Sequence, residues 1–399
     1  MTPRVAMLAY ACDPAGSGEH WLGWGWAATA AKFCDVTLFT PRKAHDAIQK
    51  NAPSSGITPH FVELPQWLRW CSERFGNTGL WWRKIAWAKR VAKVISVGGF
   101  DIVHHTTFHT FRVPFYAASL GIPSVWGPMA GGEHTPAGFD EFLGSAAALE
   151  RKRDAQNRRW LAWGKVQRAL HDTSVLFPSN RTTLNFLPEF AREKATIVSP
   201  NTLRDGDHPA LRQQSGTRGR LRLIYVGNCV ATRCIPLVLH AMRQLDGVTL
   251  TVVGTGTALE AWRNEAAHLN LGERVTFAGQ VSRDHLPALY EAADALVFPA
   301  LRDSGGSALL EAMSLGLPVI CLDWAGPGEM VDEASGVKIP VESPAQVIRD
   351  FAVAFARLRD DPGAGGQLAA SASARAQKYF TWAAKQRVLE NTYTRLIAS

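Results

Sequence analysis

The sequence predicts an α/β protein made of two doubly wound domains that face each other across a cleft. Three observations predict it. The chain has 399 residues, long for one core and comfortable for two. Its second half alternates continuous apolar runs with amphipathic segments, the pattern of a parallel sheet covered on both faces. Its first half repeats that alternation less tidily, and a polar stretch rich in Gly, Arg and Asp separates the halves at 201–220.

In the first half the strand candidates are PRVAMLAY (3–10), DVTLFT (35–40), PHFVEL (59–64), DIVHH (101–105), PSVWG (123–127) and TSVLFP (173–178). In the second they are LRLIYVG (221–227), VTLTVVG (248–254), RVTFAG (274–279), DALVFPA (294–300) and LPVICL (317–322). One amphipathic segment fills each gap, such as RDHLPALYEAA (283–293). The expected organisation is a Rossmann-like domain at 1–200, a linker at 201–220 and a second Rossmann-like domain at 221–378. A helix at 379–399 follows a polar Ala/Ser/Gly segment and is expected to pack back on the first domain.

Composition narrows the class. Hydrophobic residues make up 46% and charged residues 20%, which excludes a disordered chain. No apolar run approaches the roughly 20 residues that span a bilayer, and MTPRVAMLAYACDPAG (1–16) reads as a buried strand rather than a secretion signal. A cytoplasmic protein is the expectation. Six scattered cysteines form no CxxC, and reduced buried thiols follow. The net charge of +8 suits nucleic acid, anionic lipid or phosphorylated ligands, and its placement has to choose.

The most informative stretch is LRDSGGSALLEAMSLGLPVI (301–320). It lies beyond the carboxyl end of a predicted strand, where open parallel sheets bind ligands. A helix is expected to begin near Gly306 or Ser307 and to stop at Gly316, with Pro318 past the stop. A glycine-bare helix start presents backbone N–H groups and the positive end of the dipole to an anion such as phosphate. Glu311, one turn in, can accept hydrogen bonds from a ribose diol, and Asp303 could do the same for a second polyol. A diphosphate between two sugars has the shape of a nucleotide-sugar. A plain βαβ turn with water-facing acids is the alternative.

The same stretch resembles the donor-site signature of the retaining GT-B glycosyltransferases of family 4. Their pattern is an acid, seven residues, then Glu and an Ala-Met/small-Gly-x-Pro-Val run. Here it is Asp303, seven residues, Glu311 and AMSLGLPVI; Asp in place of the usual first Glu marks one branch. YACDPAGSGEHWLGWGWA (10–27) resembles that branch's N-terminal loop, and WGPMAGGEHTP (126–136) its second glycine-rich loop. The resemblance extends over nearly the whole chain.

It implies a GT-B fold, a UDP- or GDP-sugar as substrate, no cofactor and no metal. By it, Glu311 holds the donor ribose, the amides of Gly306 and Ser307 meet the diphosphate, and Asp303 touches the transferred sugar. Gly227, Gly254, Gly305 and Ala308 complete the donor side. YVGNCVATRCIPLVLHAM (225–242) matches the segment where the family sets an Arg and a Lys against the diphosphate. Asn228 and Arg233 occupy those positions here, so one cation is kept and one lost. On the acceptor side the candidates are Gly16, Gly18, Glu19, His104, His105, Gly131, Gly132, Glu133 and His134, with His109 counted among the catalytic residues. The three histidines lack the spacing and the Cys or acid neighbours of a zinc site. DGD (205–207) lies in the linker and is no metal motif, and GTGTALE (254–260) shapes a loop rather than binding NAD.

Residues 66–93 interleave Trp67, Trp70, Trp81, Trp82 and Trp87 with Arg69, Arg74, Arg83, Lys84, Lys89, Arg90 and Lys93. Basic helices with tryptophan settle on anionic membranes, and 150–168 adds a second basic stretch. Lipid ranks above nucleic acid here because the family commonly takes lipid-linked acceptors. Inward-packed tryptophans are the alternative. The functional expectation is a retaining hexosyltransferase acting on a glycan or lipid-linked acceptor in polysaccharide or glycoconjugate biosynthesis, peripheral on the cytoplasmic membrane. A nucleotide-sugar epimerase or hydrolase of the same fold, and a non-catalytic binding subunit, are the alternatives.

Overall fold

The computed structural model describes residues 2–51, 56–68, 70, 76–107, 110–204 and 217–398, and only the backbone at 76–79. The chain divides into two compact units. The first comprises Met1–Gly132, Ala155–Pro200 and Trp382–Ser399, and the second Glu133–Asp154 and Asn201–Thr381.

The first unit holds β1 (Arg4–Leu8), β2 (Asp35–Thr40), β3 (Ile57–Phe61), β4 (Ile102–His105), β5 (Ser124–Met129) and β6 (Val175–Pro178). They form a six-stranded sheet in the order β3-β2-β1-β4-β5-β6, every pair parallel. The second unit holds β7 (Leu221–Val226), β8 (Val248–Val253), β9 (Val275–Gly279), β10 (Ala295–Phe298), β11 (Val319–Leu322) and β12 (Gly336–Ile339). Its order, β12-β11-β10-β7-β8-β9, is again all parallel and repeats the first with the strands renumbered. In each sheet the winding reverses next to the first strand, between β1 and β4 and between β7 and β10. Ligands of such sheets bind at the carboxyl ends of the strands flanking that reversal.

Central strands read as unbroken apolar runs because both faces are covered. All residues of β4, β5, β6, β10 and β11 are buried. The edge strand β3 alternates, with every second residue exposed, and starts two residues before the expected run. The edge strand β12 was not expected. Its four residues, GVKI, include a glycine and a half-exposed lysine, too short and mixed to carry a period.

Two further departures have physical reasons. The Ala/Ser/Gly segment is a helix, Pro362–Tyr379, capped by the Asp361 side chain on the Ala364 amide at 3.2 Å. Its buried positions, Gly365, Ala369, Ala372 and Ala376, are small residues at helical spacing, which lets the helix pack closely on Ser307–Ser314. The second departure is the domain boundary expected at residue 200. Residues 133–154 belong to the second unit, held there by buried ion pairs described below. The terminal helix Trp382–Ala398 belongs to the first, where the Trp382 ring lies so close to Gly25 that a Cβ there would sit 1.9 Å from it. Most of the expected linker lies outside the described residues, the 205–207 triplet included.

Candidate functional site

The site in the second unit grows from the ends of β7 and β10, the two strands at the winding reversal. Beyond β10 the chain runs through Asp303 and Gly305 into the helix Ser307–Ser314. Gly306 opens that helix with φ of 95°, a left-handed conformation that a side chain rarely adopts, and no side chain caps the N–H groups behind it. Gly316, at φ 67°, follows the helix end, and its amide bonds the Met313 carbonyl at 3.0 Å.

Asp303 is engaged on both oxygens. One accepts the Gly305 amide at 2.8 Å, and the other is ion-paired with the Arg233 guanidinium. Arg233 comes from the short 3₁₀ turn Ala231–Arg233 after β7. It lies over the Phe298 ring at 5.2 Å and donates to the Arg302 carbonyl at 3.1 Å. The side chains of Arg233 and Asp303 are 20% and 10% exposed, so the pair is shielded yet reachable. The two residues predicted as separate contacts thus form one unit. It ties the cation to the glycine turn.

Arg302 points the other way. Its guanidinium is buried and ion-paired with Glu150, at 2.8 Å, and with Asp154. Glu150 lies in the first turn and Asp154 at the middle of the helix Ala147–Leu161, within the basic stretch 150–168. Glu311 is half-buried in the helix Ser307–Ser314. The Tyr290 hydroxyl lies 3.4 Å from its Oε2 and 3.4 Å from the Ala308 carbonyl. Burial, with the Glu311 carboxylate alongside, raises the Tyr290 phenol well above its usual range. Sequence reasoning missed Tyr290, Phe298, Arg302 and the Glu150–Asp154 pair. For Arg302 a signal existed: a cation beside the acid of a glycine turn needs a partner.

The other donor-side candidates divide. Asn228 is exposed, and its carbonyl accepts the Tyr225 hydroxyl at 2.9 Å. Gly254 is required by packing, since a Cβ there would meet the Gly227 carbonyl oxygen at 1.9 Å. At Gly305 a Cβ would meet the Asn201 amide nitrogen at 2.3 Å, and at Gly326 the Gly305 nitrogen at 2.3 Å. The turn is therefore wedged against the start of the helix Ala325–Met330, where Ala325 itself holds a left-handed φ of 50°. The DWAGPGE run (323–329) carried that signal, with Pro327 early in a glycine-flanked helix.

On the first unit the acceptor-side candidates fare differently. Gly16, whose amide bonds the Asp13 carbonyl at 3.1 Å, and Gly18, at φ 54°, shape the loop after β1, and half-exposed Glu19 opens the helix Glu19–Ala30. His104 and His105 are corrected: both are core residues, 0% and 2% exposed. The His104 ring sits between the Tyr393 hydroxyl at 2.7 Å and the Gly127 carbonyl at 2.9 Å. His105 stacks on Trp126 and packs against Phe115. Burial lowers their pKa values to about 4 and about 3. A strand covered on both faces leaves its side chains no route to a ligand. Gly132 serves close packing, since a Cβ would meet Thr183 and Phe186 at 2.7 Å, and Gly131 turns at φ 114° against Phe111. Glu133 and His134 are also corrected, from the first unit to the second. There the His134 carbonyl accepts the Trp324 indole at 3.0 Å, and buried Glu133 precedes it. His109, Arg69 and Arg74 lie outside the described residues.

The tryptophan segment is split. Trp67, Trp70 and Trp82 are 65%, 63% and 60% exposed. Trp87 is a core residue at 1%, its indole donating to the Val62 carbonyl at 3.1 Å, and Trp81 is half-buried against that core. Among the described residues no helix is long and apolar enough to cross a membrane, and no cluster of His, Cys, Asp or Glu could hold a metal ion.

Residues 207–377 match the family model of the glycosyl transferases group 1. The second unit carries a glycosyl transferases group 1 domain. D-inositol 3-phosphate glycosyltransferase of Mycobacteroides abscessus is 30% identical to the chain over 200 residues, 48% of this chain and 44% of that protein. The match thus spans about half the length of the curated relatives or less. Among solved structures, sucrose-phosphate synthase of Thermosynechococcus elongatus covers 99% of both chains at a TM-score of 0.64 and 18% identity. Anabaena HepE in complex with UDP and glucose covers 98% of this chain and 100% of its own, at 0.61 and 15%. WaaG, a glycosyltransferase involved in lipopolysaccharide biosynthesis, covers 97% and 99% at 0.57 and 18%. At these identities the likeness shows the fold, two parallel six-stranded sheets with helices, and it is the GT-B fold expected from the sequence. The group 1 domain contains Arg233, Asp303 and Glu311 and the helix start between them.

Proposed function

We propose that the protein is a retaining glycosyltransferase that moves a sugar from a UDP- or GDP-sugar to a glycan or lipid-linked acceptor. The observation that carries it is the Arg233–Asp303–Gly305 unit fixed at an uncapped, glycine-opened helix start with Glu311 one turn in. A cation, an uncapped helix start and a carboxylate one turn in support a nucleoside diphosphate as the ligand. The UDP bound in HepE, a chain of the same fold, supports a uridine donor.

In this reading the acceptor hydroxyl oxygen bonds to the anomeric carbon on the face from which the diphosphate oxygen departs. Its proton passes to that departing oxygen, and nucleoside diphosphate is released. No side chain serves as nucleophile, and no step calls on a metal. Arg233 and the amides of Gly306 and Ser307 stabilise charge growing on the leaving group. Asp303 holds Arg233 in place and takes the transferred sugar's hydroxyls on its outer edge. Exposed Trp67, Trp70 and Trp82 support a peripheral position on an anionic membrane.

Calorimetric titration with UDP and GDP, followed by product analysis with and without acceptor, tests this. One nucleotide should bind, and Glu311→Ala should weaken it by about tenfold or more, as loss of a charge-assisted hydrogen bond does. Binding unaltered by Glu311→Ala would displace the ribose from this site. Sugar isomerised or released without acceptor would make the protein an epimerase or hydrolase.

A further inference from the structure

The first unit contains a second built site, to which the tryptophan–cation stretch contributes Arg83 and Trp87. It is a pocket over the carboxyl ends of β1, β2 and β3, three adjacent strands, lined by Tyr10, Lys43, Val62, Leu64, Arg83 and Trp87. Arg42 and Glu63 also border it, Glu63 as an exposed acid at the rim. The pocket encloses about 500 Å³, counting the open solvent at its mouth. The floor is rigid. Tyr10 and Trp87 meet edge to face at 5.2 Å, and the Trp87 indole is bonded to the Val62 carbonyl.

Cations are held together over that floor. The Lys43 ammonium lies over the Tyr10 ring at 5.3 Å and Arg83 lines the same pocket, while Lys84, the neighbour of Arg83, lies outside the lining, over Trp81 at 5.0 Å. The Arg83 Nε is buried with no hydrogen-bond partner. Burial lowers the pKa of Lys43 and the Arg83 charge lowers it further, against an opposing pull from Glu19. Burial likewise lowers Lys84, with Lys43 and Arg83 adding to the effect against an opposing pull from Glu19. Desolvated like charges at one place cost free energy, which a bound anion recovers. Two cations, Lys43 and Arg83, on an aromatic-floored pocket fit a tetrahedral dianion better than a single carboxylate. The pocket lies at the carboxyl ends of β1, β2 and β3, to one side of the β1/β4 reversal.

We infer that this pocket binds a phosphoryl group carried by the acceptor, with Lys43 and Arg83 as its anchors. The inference rests on the proposed transfer reaction for the word acceptor, and on the pocket alone for the phosphoryl group. Trp82, exposed on the same helix as Arg83, places the pocket beside a surface suited to lipid, so a lipid phosphate and a soluble phosphate ester are the two sources to separate.

The test uses the full chain and inorganic phosphate, titrated by calorimetry at constant ionic strength. Lys43→Gln and Arg83→Gln should each weaken phosphate by about tenfold or more and leave UDP binding unchanged. Lys43→Arg and Arg83→Lys should keep most of the affinity. Unchanged phosphate affinity in the Gln variants, or equal loss in the charge-keeping ones, would overturn the assignment. Glycerol 3-phosphate and phosphatidic acid vesicles then compete against inorganic phosphate. Displacement by the vesicles names the lipid source, displacement by glycerol 3-phosphate alone the soluble one, and displacement by neither overturns the acceptor assignment. A failed transfer reading shows separately, as phosphate binding without UDP binding.

Discussion

Breaking the Arg233–Asp303 pair tests the donor site at its joint. An exposed ion pair contributes about 0–1 kcal/mol, whereas removing one partner of a buried pair costs about 3–5 kcal/mol. With side chains 20% and 10% exposed, this pair falls between, and its coupling should be about 2 kcal/mol. Arg233→Ala also loses the bond to the Arg302 carbonyl, and Asp303→Ala the acceptor for the Gly305 amide, each adding roughly 1 kcal/mol. Each single variant should therefore lose about 3 kcal/mol, and the double variant about 2 kcal/mol less than their sum. Urea unfolding of the four proteins, followed by circular dichroism, gives the cycle. UDP affinity measured on the same set should fall in both single variants. A coupling below about 0.5 kcal/mol would mean that the two side chains act independently, and the account of a cation fixed to the glycine turn would be wrong.

Arg302→Met should cost about 3–5 kcal/mol, because it strands the buried Glu150 and Asp154 charges; denaturant unfolding measures it. His104 has a folded pKa of about 4, below the roughly 6.5 of the unfolded chain, so the native state binds fewer protons between these values. Its stabilising contribution, roughly 3 kcal/mol, is whole above pH 6.5 and lost as pH falls to 4. His105 adds to the same trend, and the urea midpoint of a His104→Phe variant should fall less steeply between pH 7 and pH 4.5 than that of the parent. Joint replacement of Trp67 and Trp82 by Ser should weaken sedimentation with anionic vesicles at every salt concentration, since burial of the rings is not screened. Retention of vesicle binding would return those rings to an ordinary exposed surface.

Eleven of the twelve strands were legible, the second sheet's through continuous apolar runs of strands covered on two faces and the first sheet's through a less tidy form of the same alternation. β12 escaped because an edge strand of four residues need not be apolar. The helix Pro362–Tyr379 escaped because alanine and glycine carry no hydropathy contrast, although their spacing fitted a packed face. At the donor side the sequence carried Arg233, Asp303 and Glu311 through their spacing along the chain, but not the bond between the first two, which are seventy residues apart. The histidines misled for the opposite reason. A polar residue at a strand end reads as a ligand group, whereas His104 and His105 lie within the strand's buried registers, paired with Met7 and Leu8.

The chain passes between its two units four times, at 132–133, 154–155, 200–201 and 381–382. No single cut therefore yields either unit whole. A fragment ending at residue 200 would lack Tyr393, the partner of His104, and its complement would lack Glu150 and Asp154 and leave Arg302 charged and buried. Halves exchanged between related chains at the central junction would inherit both faults. A workable chimaera must carry residues 133–154 with the second unit and residues 382–399 with the first, so the unit of recombination in this protein is discontinuous.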